Sequence, residues 1–217
     1  MGWFEFITAF VVFFLSHSIP VRPAMRAKLV ATLGPRGFTI GYSILSLGVL
    51  IWLIGAASRA PYVALWDWAV WQNLIVLAVM AFVIALLALS IGRPNPFSFG
   101  GARNDMFDPE MAGIVAVFRH PLLVALALWA MAHMIANGDL AHVVLFGTFA
   151  GFALVGQRII DRRKQRQMGA QWGELKAKMR IGTLNPKGTV LRQIIAVLAF
   201  GVLLWLHPML FGVNPLP

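Results

Sequence analysis

The stretch WAVWQNLIVLAVMAFVIALLALSI, residues 68–91, decides the fold. It contains no charged residue, and as a helix rising about 1.5 Å per residue it spans about 36 Å, more than the ~30 Å hydrocarbon core of a bilayer. Working outward, comparable apolar runs occupy residues 3–19, 38–57, 121–136, 140–160 and 190–206. They sit in a chain of 217 residues that is 59% hydrophobic and 12% charged, half the charge of an ordinary soluble domain. A backbone in lipid must satisfy its own polar groups, and no run shows the ten-residue alternation of a barrel strand. The pattern predicts an all-α, polytopic transmembrane helix bundle of about six spans, a single domain over residues 1–217.

The net charge of +10 acquires its meaning from its location. Seventeen of the eighteen Lys and Arg residues fall in the first, third and fifth connections, and only Arg59 lies on the other side. By the positive-inside rule the basic loops face the cytoplasm and both termini lie outside. Trp3, Tyr62, Trp66, Trp68, Trp71 and Trp205 gather at the opposite face, as an interfacial belt would. The bases thus point to topology and membrane lipids, not to nucleic acid. Met1-Gly2-Trp3-Phe4-Glu5 lacks the positive region of a cleaved signal, so the first run is expected to remain as a span.

Two segments add detail. The fifth helix continues past the bilayer as a cytoplasmic amphipathic segment at about 158–180, with Met168, Trp172, Leu175 and Met179 on one apolar face that would lie on the inner membrane surface. Gly41, Gly48 and Gly55 recur every seven residues as a smooth stripe on which another helix could pack closely.

Cysteine is absent, which removes disulfides, thiolate nucleophiles and Cys-bound metals. Any metal must rest on the five His, on Met, on carboxylate or on backbone. His17 ends the first helix and His120 begins the fourth, at similar depth; facing imidazoles of this kind hold a b-type haem in a helix bundle. The competing readings are a hydrogen bond from His17 to backbone or water, and helix capping by His120 ahead of Pro121. His133 lies about 20 Å from His120 along the same helix. With His142, His207 and Asp139 it forms a rival group on the outer side. The connection through Pro94-Asn95-Pro96-Phe97-Ser98 is long and poor in charge, as a pocket lid would be. No Walker loop, His-Glu-x-x-His or Gly-x-Ser-x-Gly occurs, and no general acid or base stands out.

Ser16-His17-Ser18, the basic loop ending Gly34-Pro35-Arg36-Gly37, Pro94-Asn95-Pro96, Arg119-His120-Pro121 and Ala132-His133 together resemble the NnrU family of bacterial membrane proteins, a name linked to denitrification. Plant cis-zeta-carotene isomerase, a haem b enzyme with two His ligands, is similar to that family. The resemblance implies a protein of the bacterial inner membrane, with His17 and His120 as axial ligands of the metal and Arg119 and His133 as further cofactor-site residues. It implies a redox role, sensing of a diatomic gas, or isomerisation of a polyene or other apolar lipid. The ligand switch to Cys attributed to the isomerase has no counterpart here. Arg119-His120-Pro121 followed by a helical pair and a basic stretch is also similar to the isoprenylcysteine carboxyl methyltransferases, which hold S-adenosylmethionine. Here Leu122-Leu123-Val124 replaces their x-Tyr-x-Gly, Arg158 and Asp161 stand where their acidic pair would fall, and Gly169 to Trp172 where they have Gly-x-x-Tyr.

Overall fold

The computed structural model describes residues 2–180 and 186–217, and among them it is helical, with no strand beyond one isolated bridge between Ala64 and Asp139. The helices are α1 (Gly2–Ser18), α2 (Pro23–Arg59), α3 (Val70–Ser90), α4 (Ile114–Val117), α5 (Pro121–Ala136), α6 (Leu140–Met168), α7 (Ala170–Lys178) and α8 (Pro186–Phe211). Four of them, α2, α3, α6 and α8, are long and apolar enough to cross a membrane. The remaining two expected spans fold as the shorter apolar helices α1 and α5, of 17 and 16 residues, so the chain is a polytopic helical membrane protein in which a count of six depends on these two.

The chain divides into two compact units, residues 1–66 with 139–145, and residues 67–138 with 146–217. In the first, α1 packs on α2. Its buried Phe6, Ala9 and Phe13 recur at helical spacing, as do Val49, Leu53 and Ala56 on α2. Glu5 is the only acid before Asp67, and it receives both Arg59 and the indole N–H of Trp52. The one base predicted to lie opposite the others is therefore paired with a carboxylate.

The sequence reading placed a loop over residues 20–37, but α2 already starts at Pro23 and runs through a bend at Gly34. Gly34 has φ 71° and ψ 165°, a conformation that only glycine adopts freely, and Pro35 restarts the helix beyond it. Among the described residues of the first unit, nothing packs closely on the glycine stripe at Gly41 or Gly48. A methyl group at Gly41 or Gly48 would meet nothing within 4 Å, and one at Gly55 only the guanidinium of Arg59.

In the second unit α3 packs on α5 and α8. Val83, Leu86 and Ala125 form one buried cluster, Leu123, Ala127 and Ala153 another. Alanines at the contact let the helix backbones approach closely. Arg192 on α8 donates to the carbonyls of Ala88 and Ile91 at the end of α3, the latter at 2.9 Å. These carbonyls have no intrahelical partner, and a cation is favoured there by the helix dipole. Replacing Arg192 by Ala is expected to cost about 1–2 kcal/mol, seen as a lowered unfolding temperature in detergent, with Arg192→Lys recovering part of it.

Candidate functional site

The long third connection folds within the second unit as a compact cover over the start of α5. Asn95 organises it: the backbone N–H of Asn95 donates to Asn104 Oδ1 at 2.8 Å, its Oδ1 accepts from the N–H of Phe97, and its Nδ2 reaches the carbonyl of Arg119 at 3.1 Å. Gly101 must be glycine, because a Cβ there would lie 2.6 Å from Asn104 Oδ1 and 2.8 Å from the nitrogen of Asn95. The consequence is that Phe97 and Ser98 are driven inward, to 0% and 3% exposure.

They meet Arg119 and His120 at the start of α5. Pro121 takes the first helical position, where its missing N–H costs nothing, and this sets His120 as the residue before the helix. The imidazole does not cap the helix. Instead it is 2% exposed and bonded at both nitrogens, Nδ1 to Ser98 Oγ at 3.0 Å and Nε2 to Asp161 Oδ1 at 2.9 Å. Arg119 completes the group, holding both oxygens of Asp161 through Nε at 2.9 Å and Nη2 at 2.5 Å.

The tautomer follows from these partners. An ionised carboxylate only accepts, so Nε2 carries the proton, and Nδ1 accepts from the Ser98 hydroxyl. Burial pushes the His120 pKa below its ordinary value, against the pull of Asp161, so the ring is neutral at neutral pH. A hydroxyl donates to a neutral imidazole whose far N–H is held by a carboxylate: the set can accept a proton at Nδ1 and stabilise the resulting cation.

The amphipathic segment predicted at 158–180 appears as the end of α6 and, after a break at Gly169 (φ 57°), as α7. Met168, Trp172, Leu175 and Met179 are half-buried while the residues between 172 and 179 other than Leu175 are exposed, so the predicted face is real. At Trp172 that face covers protein and not a lipid surface. Its ring meets Phe97 edge-on, lies under the guanidinium of Arg119 at 5.7 Å, and takes Lys176 at 4.8 Å. The backbone N–H of Arg180, just beyond α7, donates to the carbonyl of Pro109 in the cover. The indole Nε1 of Trp172 is buried with no hydrogen-bond partner among the described residues.

The other predicted site residues make hydrogen bonds and ring contacts within their own units. His17 belongs to the first unit, where its Nδ1–H donates to the carbonyl of Phe13 at 2.8 Å and its ring stacks on Phe13 and faces Tyr42. His133 donates from Nδ1 to the carbonyl of Trp129 at 2.8 Å and packs beside Trp129 and Phe146. Of the rival outer group, Asp139 and His142 pair with each other in the first unit, and His133 and His207 belong to the second. Among the described residues no three His, Asp or Glu side chains are placed to share a metal ion. Sequence reasoning missed Ser98, Asn95 and the role of Asp161 as the common acceptor. Their one signal was a charge-poor loop too long for a simple linker.

These features define an integral membrane protein with a covered polar cluster at the start of α5. The family model described as NnrU protein matches residues 5–215, and the chain belongs to the NnrU family. No curated protein and no solved structure matches it.

Asp161→Asn is expected to cost about 2–4 kcal/mol, because Arg119 is left half-buried without its counter-charge; a shift of the unfolding midpoint in detergent checks it. The depressed pKa of His120 also has a pH signature. The unfolded chain takes a proton near pH 6.5 while the folded ring resists it, so stability falls as the pH drops below about 6.5. Melting curves between pH 8 and 5 should show this slope, and His120→Gln should flatten it.

Proposed function

We propose that this NnrU-family protein handles a proton on a small lipid-borne molecule at the Ser98–His120–Asp161–Arg119 cluster, with isomerisation as the reaction class. The observation that carries the reading is the His120 ring, neutral and buried, held between a carboxylate and a hydroxyl. Ionisable groups buried in a membrane protein are costly and are retained chiefly for function. A substrate that replaces Ser98 Oγ at Nδ1 would give up its proton there and take it back from the imidazolium at another carbon, while Asp161, fixed by Arg119, stabilises the cation. A neutral imidazole is too weak a base for an unactivated hydrocarbon, so the substrate must bear a carbonyl or similar group next to the reacting carbon. The unpartnered N–H of Trp172 beside Arg119 offers that group a donor.

Haem b held by His17 and His120 together does not fit this arrangement, since both nitrogens of His120 are already bonded. His17 fits: its Nδ1–H is anchored and Nε2 has no partner among the described residues, the arrangement in which imidazoles ligate metals. A redox or gas-sensing role through haem b therefore rests on His17. A second reading draws on the meeting of Arg119, His120, Asp161 and Trp172. Arg119 and His120 belong to the motif shared with the membrane methyltransferases, Asp161 stands where their acidic pair would fall, and Trp172 where their Gly-x-x-Tyr ends.

Lipid extracts of membranes from cells expressing the wild type and His120→Gln test the proposal. An isomer ratio altered by the wild type and returned to background by His120→Gln is expected. Visible spectra after expression with ample haem provide the counter-test. A low-spin Soret spectrum lost in His120→Ala would overturn the assignment in favour of axial ligation. Saturable S-adenosylmethionine binding abolished by Arg119→Ala would transfer the site to the methyltransferase reading.

A further inference from the structure

The first unit carries a feature that the His120 cluster does not use. Where α2 bends at Gly34, the chain leaves an open notch of about 170 Å³ lined by Pro20, Leu29, Leu33, Phe38, Tyr42 and Leu45, with Gly41 at its wall. Gly41 has nothing within 4 Å of where its side chain would begin, so the first unit leaves the space at that wall open. The rim is apolar and exposed, with Leu33 at 54% and Leu45 at 45%. On a helix that spans a membrane, the neighbour of such a rim is the bilayer.

Charge selects among the molecules a bilayer offers. Arg22, Arg26, Leu29 and Leu33 follow one another at spacings of four, three and four residues, so the two bases continue the stripe on which the two notch leucines lie. Arg26 also stands over the ring of Phe38, a wall of the notch, at 5.5 Å. Residues 6–66 contain no acid, and among the described residues Arg22, Arg26, Lys28 and Arg36 form no ion pair. A basic head above an apolar notch is complementary to one kind of molecule, an acyl chain bearing an anionic headgroup.

We infer that this notch is a specific site for an anionic glycerophospholipid, its upper acyl chain lying against Leu29, Leu33, Phe38 and Gly41 and its phosphate meeting Arg22 and Arg26. The bent helix supplies both halves of the site, because the segment before Gly34 brings the bases with Leu29 and Leu33, and the segment after it brings Phe38, Gly41, Tyr42 and Leu45. The Gly34 conformation is what holds the two halves at an angle.

The test uses the full-length protein in detergent with short-chain dioctanoyl phosphatidylglycerol as probe, dioctanoyl phosphatidylcholine as comparison and inorganic phosphate as headgroup control, read by thermal shift and native mass spectrometry. Saturable binding of the phosphatidylglycerol is expected, weakened at least tenfold in an Arg22→Gln, Arg26→Gln double variant. Gly41→Leu should fold normally, since its side chain enters open space, and should weaken binding by a similar factor by occupying the notch. Equal binding of phosphatidylcholine, undiminished binding by Gly41→Leu, or a full shift produced by phosphate alone would each overturn the inference.

Discussion

A carboxylate largely withdrawn from water must be neutralised where it stands, and the second unit is arranged around this requirement at Asp161, just past the apolar run of α6. Two donors of Arg119 and one of His120 converge on its oxygens. An ion pair of this kind recovers its desolvation cost only when geometry is close to ideal and the remaining lone pairs are satisfied. The bidentate guanidinium meets the first condition and the imidazole the second. Because Arg119 and His120 are consecutive and precede Pro121, one acceptor on α6 fixes both the start of α5 and the end of the loop before it.

From there the constraint spreads outward. Neutral His120 needs a donor for Nδ1, and Ser98 supplies it only if the loop turns inward, which Asn95 and Gly101 bring about. The loop must then be covered, and Trp172 on α7 does this while stacking on the same guanidinium that holds Asp161. Polar satisfaction and apolar cover thus meet at Arg119. Among the described residues the buried N–H of Trp172 is left without a hydrogen-bond partner, and that imbalance is what a ligand could correct.

The chain shows clearly which features are local. The span at 68–91 was legible because apolar length is itself the cause of membrane insertion, and α3 occupies its centre. The face of Met168, Trp172, Leu175 and Met179 was legible because helical periodicity is local. What that face covers was not, since Phe97 and Arg119 are 75 and 53 residues away from Trp172. The helix before Gly34 was missed because basic residues masked its apolar positions and Gly34-Pro35 read as a loop. His120 was picked out as important for its depth beside Pro121, whereas Ser98 was passed over because serine in a loop carries no signal until its partner is known.

By itself, the sequence determined that this is a helical membrane protein of the NnrU family, where its longest spans lie, and that any metal must rest on His, Met, carboxylate or backbone in the absence of Cys. These follow from hydropathy, length and residue inventory, properties that each segment carries alone. Only the tertiary structure decided that Asp161 gathers Arg119 and His120 and sets the tautomer of the ring, and that the Ser98 hydroxyl meets its Nδ1. Hydrogen bonds are directional and join residues distant in the chain, so their partners exist only once the helices are packed.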